Sequence, residues 1–531
     1  MSKPIWMAMI ALPCVFAQAQ DISAERIRAH DRFLASDLLE GRGVGQRGGD
    51  LATEYMATQF ALAGAKPAGD NGTYFQKVPL VGIETQPGAT ITATAGGAKS
   101  VEFKWLDDFV GVSQTQQTET TFEARAVFAG HGILAPEYKW DDFGGMDVKG
   151  KLIFVFTNEP PSNDPKFFEG RALTFYGRWV YKYEEAVRRG ARGLIIIHTD
   201  QTAGYGWDVV RSSWGRETPF VKLAEGQGSL AIAGWMTRDA GAKLLALAGK
   251  NLDELLAASD KPGFQAMPLD LTIRGHLSSK VRELNTRNVA AMVEGSDPVL
   301  KREVVIFSAH WDHLGIATPV NGDSIYNGAI DNASGCAILL ELARAWAAMP
   351  VKPKRSALFL SVTAEEGGLR GSEYYATHPL IPAAQTALDL NYDAIYPWGR
   401  AKDVVLTGAE RTTVWPLAQR MAARLNLEVS PDSEPEQGHY FRSDHFPFAH
   451  AGIPAFSIGA ATEFVGKPAG YGHEKWVEYN TNHYHHPSDE FREDWDFTAL
   501  AQAAEYGFLL GRDVANQDKL PDWRAGDQFH R

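Results

Sequence analysis

Five residue clusters in the second half of the chain could do chemistry together: His310-Trp311-Asp312, Asp331-Asn332, Glu365-Glu366, Asn391-Tyr392-Asp393 and His485-His486-Pro487-Ser488-Asp489. Imidazoles and carboxylates in this mixture suit a pair of zinc ions, with one carboxylate left over as a general base. The chemistry that follows is hydrolysis of an amide bond. Asp331, Glu366 and Asp393 bring three negative charges, and two Zn²⁺ with one bridging hydroxide make the cluster neutral. A single zinc would leave negative charge uncompensated in a cleft, which is costly. A two-metal site needs one shared ligand, and Asp331 is assigned that bridging place. His310, Glu366, Asp393 and His485 complete the expected metal set. Adjacent residues at a strand end point in different directions. Glu366 can therefore face a metal while Glu365 faces the bound water as the base. Asp312, two residues after His310, is expected to hold the imidazole's other nitrogen.

Each member alone has an ordinary explanation. A Glu-Glu pair is commonly a solvated surface, Asp331 can simply cap a helix, and His485-His486 can be a loop pair. His313, His439, His445, His450, His473 and His483 are expected to be structural, surface or pocket residues. The inference rests on the ordered set.

The elements that must position these residues are legible as alternating patterns. From about residue 285, strands at Glu303–Ala309, Ser356–Thr363, Thr386–Ala394 and Pro454–Gly459 alternate with helices at Ala333–Ala348, Leu369–Thr377 and Thr413–Leu425. That alternation predicts an α/β fold with a mixed, mostly parallel sheet flanked by helices. Ligands then sit beyond the carboxyl ends of strands. Residues 22–66 read as two helical pieces, the second capped by Asp50 and ended by Gly64. Between about 116 and 275 the texture is strand-rich with Gly/Pro/Asp turns, which predicts a separate β-rich domain without a catalytic cluster. The expected division is 1–19 signal peptide, 20–115 first part of the catalytic domain, 116–275 insert, 276–515 main catalytic part and 516–531 a polar, partly loose tail.

The chain has 531 residues, 44% hydrophobic and 11% aromatic, enough for a large packed core in more than one domain. Its formal charge of −13, without Lys/Arg clusters, argues against nucleic acid and anionic membranes as partners. Lys3, the apolar run Ile5 to Phe16 and Ala17-Gln18-Ala19 fit a cleaved secretory signal, so an exported protein, periplasmic or extracellular, is expected. No later segment is apolar enough to cross a membrane. Cleavage removes Cys14 and leaves Cys336, read as a small buried apolar residue, so no disulfide is expected in the mature chain.

Taken in order, Ser308-Ala309-His310-Trp311-Asp312-His313-Leu314-Gly315, Gly328-Ala329-Ile330-Asp331-Asn332-Ala333-Ser334-Gly335, Ala364-Glu365-Glu366-Gly367-Gly368-Leu369-Arg370-Gly371-Ser372, Leu390-Asn391-Tyr392-Asp393, Arg442-Ser443-Asp444-His445-Phe446-Pro447-Phe448 and Tyr484-His485-His486-Pro487-Ser488-Asp489-Glu490 resemble the M28 family of zinc aminopeptidases. The resemblance covers roughly 285–510 and the helical N-terminal part. It implies a dinuclear zinc site of His310, Asp331, Glu366, Asp393 and His485, with Asp331 bridging, Glu365 as base and Asp312 supporting. It also implies a cis peptide after Asp331 and peptide substrates. Phe128-Ala129-Gly130-His131-Gly132-Ile133 with Ala135-Pro136-Glu137-Tyr138-Lys139-Trp140-Asp141-Asp142 and Val148-Lys149-Gly150-Lys151 resembles a protease-associated (PA) domain, which in that family sits beside the cleft. Three other functions fit the same scaffold. A carboxypeptidase needs a basic pocket, with Arg370 and Arg442 as candidates. A glutaminyl cyclase needs one zinc. A non-catalytic ectodomain has no reason to keep six demanding side chains.

Overall fold

The computed structural model describes residues 22–96, 99–203 and 206–530. The expected signal segment, with Lys3 and Cys14, lies outside the described residues. Among the described residues no helix is long and apolar enough to cross a membrane.

Four parallel strands carry the half that holds the histidine and carboxylate clusters. Val304–His310 runs between Ser356–Val362 and Thr386–Asn391, and Ala455–Gly459 adds beyond Thr386–Asn391. These strands are rich in Val, Ile, Leu and Phe and buried along nearly their whole length, the pattern of parallel strands covered on both faces. Alternation sorts them. Val305, Phe307 and Ala309 face one core with helices Ala24–Leu34, Arg47–Ala63, Ser334–Ala347 and Thr498–Ala515. Val304 and Ile306 face another with His445–His450 and the C-terminal residues Trp523 and Phe529. Phe307 stacks on Phe359 of the neighbouring strand at 5.4 Å, close to parallel, which locks the central pair by direct cross-strand contact.

The register puts His310 opposite Val362 and Ser308 opposite Asn391. The chain therefore leaves three neighbouring strands on one rim, just before the Trp311, Glu365 and Asp393 stretches.

Three expectations change. The helix expected to start at Asp50 is Arg47–Ala63, with Gln46 at its cap. Asp50 lies in its first turn, where a carboxylate suits the positive end of the helix. Gly64 ends it in the left-handed conformation, as expected. The polar tail is not loose along its length. Trp523 and Phe529 are buried against Tyr440 and Phe446, and Arg411 pairs with Asp527 at 2.9 Å. Two aromatic anchors outweigh the polar composition around them.

The domain boundaries also shift. Met267–Val293 is one continuous strand that crosses the expected 275/276 break. Its first half pairs with Thr90–Ala95 and Glu119–Phe128, and its second half with Phe75–Thr85 and Ser356–Val362. Thr90–Ala95 and Phe109–Val112 lie before position 116 yet pair within the sheet of the middle region. Leu152–Phe156, Gly193–Ile197 and Ile232–Met236 form a parallel trio, accompanied by helices Trp179–Arg188 and Arg238–Leu247.

The middle region meets the half that carries the histidine and carboxylate clusters beside Gly367 and beside Phe446, among other contacts. Pro219 sits where a side chain on Gly367 would be, with its Cγ 2.1 Å from the Cβ position, and its carbonyl accepts from Arg370 Nε at 3.2 Å. Further round, Leu173 N–H donates to Pro435 O at 3.0 Å, and Phe175 packs on Phe446 with ring centres 4.8 Å apart.

Candidate metal centre

His310 is the last residue of its strand and almost fully enclosed. The Asp312 carbonyl lies 3.1 Å from its Nδ1. A carbonyl can only accept, so Nδ1 carries hydrogen and Nε2 is turned to the carboxylates. Nε2 lies 3.3 Å from Asp331 Oδ1 and 3.2 Å from Asp393 Oδ1. On the other side, His485 Nε2 lies 3.3 Å from Asp331 Oδ2 and 3.1 Å from Glu366 Oε2. Asp331 thus offers one oxygen to each histidine. A carboxylate split between two imidazoles, with a further carboxylate on each side, has the form of a ligand shared by two cations.

Asp331 owes its position to the chain around it. It lies in an irregular turn, Ala329–Ala333, ahead of helix Ser334–Ala347, and its bond to Asn332 is cis, as the resemblance implied. Asp489 holds this turn: its carboxylate accepts from Ile330 N–H and Asp331 N–H at 3.1 Å each and from Tyr479 OH at 3.0 Å. Asp393 is held in the same manner. Ser443 Oγ donates to its Oδ2 at 2.6 Å, and Asn391 Nδ2 donates to Ser443 Oγ at 2.7 Å.

The electrostatics follow from burial and neighbours. Burial alone would lower the pKa of His310, but Asp393, Glu365 and Asp331 raise it well above the ordinary imidazole value. Burial works against His485 too, yet Glu366 and Asp331 push it up to about 10. The converse holds for Asp331. Burial opposes its charge, but hydrogen bonds from His310 and His485 keep it well below the usual carboxylate range. Glu366 is likewise lowered against burial, by His485 and His313. Glu365 differs. Burial, and then Asp393, Glu366 and Asp444, push its pKa well above the usual value. Adjacent carboxylates driven in opposite directions have different jobs: one suits a cation, the other takes up a proton.

Asp312 departs from its expected contact. Its backbone carbonyl, not its carboxylate, meets His310. Its Oδ1 accepts from Glu365 N–H at 3.2 Å, so the side chain holds Glu365 instead. Burial raises its pKa to about 7.

Residues 288–507 match the model of Peptidase family M28. Leupeptin-inactivating enzyme 1 of Streptomyces exfoliatus is 29% identical over 181 residues, 34% of this chain and 36% of that protein. Aminopeptidase YwaD of Bacillus subtilis (strain 168) is 27% identical over 223 residues, 41% of this chain and 43% of that protein. The chain thus spans less than half the length of these curated relatives. Among solved structures, the aminopeptidase from Aneurinibacillus sp. strain AM-1 superimposes with a TM-score of 0.50 at 20% identity, over 93% of this chain and 94% of that one. This is the M28 aminopeptidase fold.

Within the M28 fold the structure brings together all five sequence-derived ligands and Glu365. It adds residues that the sequence left aside. His313 Nδ1 lies 2.6 Å from Glu366 Oε1, and oxygens or nitrogens of His313, Asp331 and Glu366 lie within 4.8 Å of one another. His313 addresses the oxygen of Glu366 that does not face His485. Tyr484 stacks on His485 with ring centres 3.9 Å apart. Tyr484 is 42% exposed, but desolvation and the nearby carboxylates of Asp331, Glu366, Glu365 and Asp393 hold its phenol above its ordinary pKa, so it stays a hydrogen donor. His313 was three residues from His310, a spacing that could have flagged it. His445 is buried, with a pKa lowered to about 3 by burial, and stays neutral.

Proposed function

We propose that this chain is an exported aminopeptidase that binds two zinc ions and removes residues from the amino ends of peptides. One observation carries the reading: Asp331 turns its two oxygens to two different histidines, each joined by a second carboxylate. The donor set fits two zincs, with His310, Asp331 and Asp393 for one and Asp331, Glu366 and His485 for the other. These residues would hold zinc where it would supply an acidified water and a Lewis acid for the scissile carbonyl. Glu365, poised by burial to accept a proton, takes one from the attacking water and delivers it to the departing amine. Asp312 fixes Glu365 through its backbone N–H, and Tyr484 offers a hydroxyl donor toward the developing oxyanion. His313 steadies Glu366 from its outer oxygen.

A carboxylate-rich pocket suits a substrate's ammonium end. The two basic candidates for a carboxypeptidase are committed elsewhere or exposed to solvent. Arg370 is bonded to Pro219 O and Glu373 and lies over the Phe220 ring, and Arg442 is solvent-exposed. The middle region is read as a PA-like domain, in accord with its motifs and its contacts beside Gly367 and Phe446. Export rests on the N-terminal signal pattern. Paired peptides with a free or an acetylated amino end test the assignment. Cleavage of the free series alone is expected, and cleavage of the acetylated series alone would reject it.

A further inference from the structure

Arg42 is buried to 1% exposure, yet among the described residues its guanidinium meets no carboxylate oxygen directly. Its hydrogen bonds there go to backbone carbonyls. Nε donates to Trp311 O at 2.8 Å, Nη1 to Leu34 O at 2.7 Å and Asn327 O at 2.6 Å, and Nη2 to Gly328 O at 2.9 Å. Trp311 follows His310 directly, and Gly328 lies three residues before Asp331. A rigid planar fork therefore spans the two loops that present the first histidine and the shared carboxylate. The main chain of Arg42 adds to this, because its carbonyl accepts from His313 N–H at 3.4 Å. The loops have little slack. Gly328 sits at a positive φ of 57°, and a side chain there would meet Asp331 O at 2.1 Å and His313 Cγ at 2.5 Å. Asn327 is tied to the same N-terminal stretch, with Nδ2 donating to Ala35 O at 2.9 Å and Asp37 Oδ1 at 2.8 Å.

Burying a guanidinium is expensive unless the geometry repays it. Here carbonyls on both ligand-bearing loops repay it, and only while those loops keep their spacing. We propose that Arg42, from a segment outside the stretch matching the M28 model, is a positioning residue that sets the distance between His310 and Asp331 and so tunes zinc affinity. The proposal rests on the zinc reading above.

Arg355 provides the control. It is equally buried but pairs with Glu303 at 2.6 Å, at the end of the sheet away from the ligands. Zinc affinity of the full chain is measured by chelator competition for the wild type, Arg42→Lys, Arg42→Met and Arg355→Met, alongside thermal unfolding. Both Arg42 variants are expected to bind zinc about 10–100-fold more weakly, with kcat falling more than KM changes. Arg355→Met is expected to unfold earlier while keeping its zinc affinity. Folded Arg42 variants with wild-type affinity would overturn the inference. So would an equal loss in Arg355→Met, or failure of both Arg42 variants to fold, since each would mark Arg42 as a fold residue only. A wild type that binds no zinc would instead overturn the functional reading.

Discussion

The two halves of the metal cradle are built by different means. His310 and Asp393 stand at the ends of adjacent parallel strands, and His310 is only 1% exposed. Glu366 and His485 come from loops. His485 follows helix Tyr471–Asn482 at a positive φ of 58°, and its side chain is 34% exposed. One half inherits its geometry from the hydrogen-bond register of the sheet. The other depends on local contacts, with His313 against Glu366, Tyr484 against His485, and Asp489 anchoring the neighbouring Asp331 turn. The lesson is that a site shared by a sheet and its loops can be rigid on one side and tunable on the other. Asp331 links the two.

Breaking that link should have the largest effect. Asp331→Ala is expected to lose both ions and to reduce turnover by more than ~10⁴-fold, beyond the range of a lost base. Elemental analysis beside the rate checks it, and retention of two zincs would contradict the shared role. Glu365→Gln leaves both halves intact, so two zincs should remain while kcat falls ~10²–10⁴-fold. Near-normal kcat in that folded variant would remove Glu365 as the base.

The next contrast is between the histidines. In zinc-free protein near neutral pH, His310→Ala is expected to cost ~1–3 kcal/mol of stability, as a change in a buried network does, and His485→Ala to cost less, because its side chain is 34% exposed and solvent screens its ion pairs. Urea unfolding of the two variants decides it, and equal losses would erase the distinction. The smallest effect is on pH dependence. His485 is raised from 6.5 to about 10 in the folded chain. The stabilisation from its charged form is fully present below pH 6.5 and is lost as pH rises through about 10. The stability gap between zinc-free wild type and His485→Asn should shrink over that interval, and a constant gap would show that the imidazolium makes no such contribution.

The sheet-built half was the more legible in the sequence. Val304 to Phe307 announced a buried strand, and a histidine at its end was placed by strand geometry alone. Asp393 followed by the same logic, and Glu365-Glu366, although on a loop, was marked by the strand that ends just before it. His485 was found through order and resemblance, because no periodicity marks a loop ligand. Asp312 shows where reasoning from spacing ended. Its nearness to His310 was read correctly, but which of its groups would make the contact depended on the local turn. Arg42 was silent for a deeper reason. Its partners are backbone carbonyls, which have no residue type to read. The long strand Met267–Val293 hid the domain boundary in a similar way, since β-pairing can pass between sheets without a break in composition.

Diffraction from zinc-loaded crystals, recorded above and below the zinc absorption edge, tests the dinuclear centre most directly. Two anomalous peaks are expected on either side of the Asp331 carboxylate, one beside His310 and Asp393 and one beside Glu366 and His485. A single peak, or peaks away from Asp331, would contradict it.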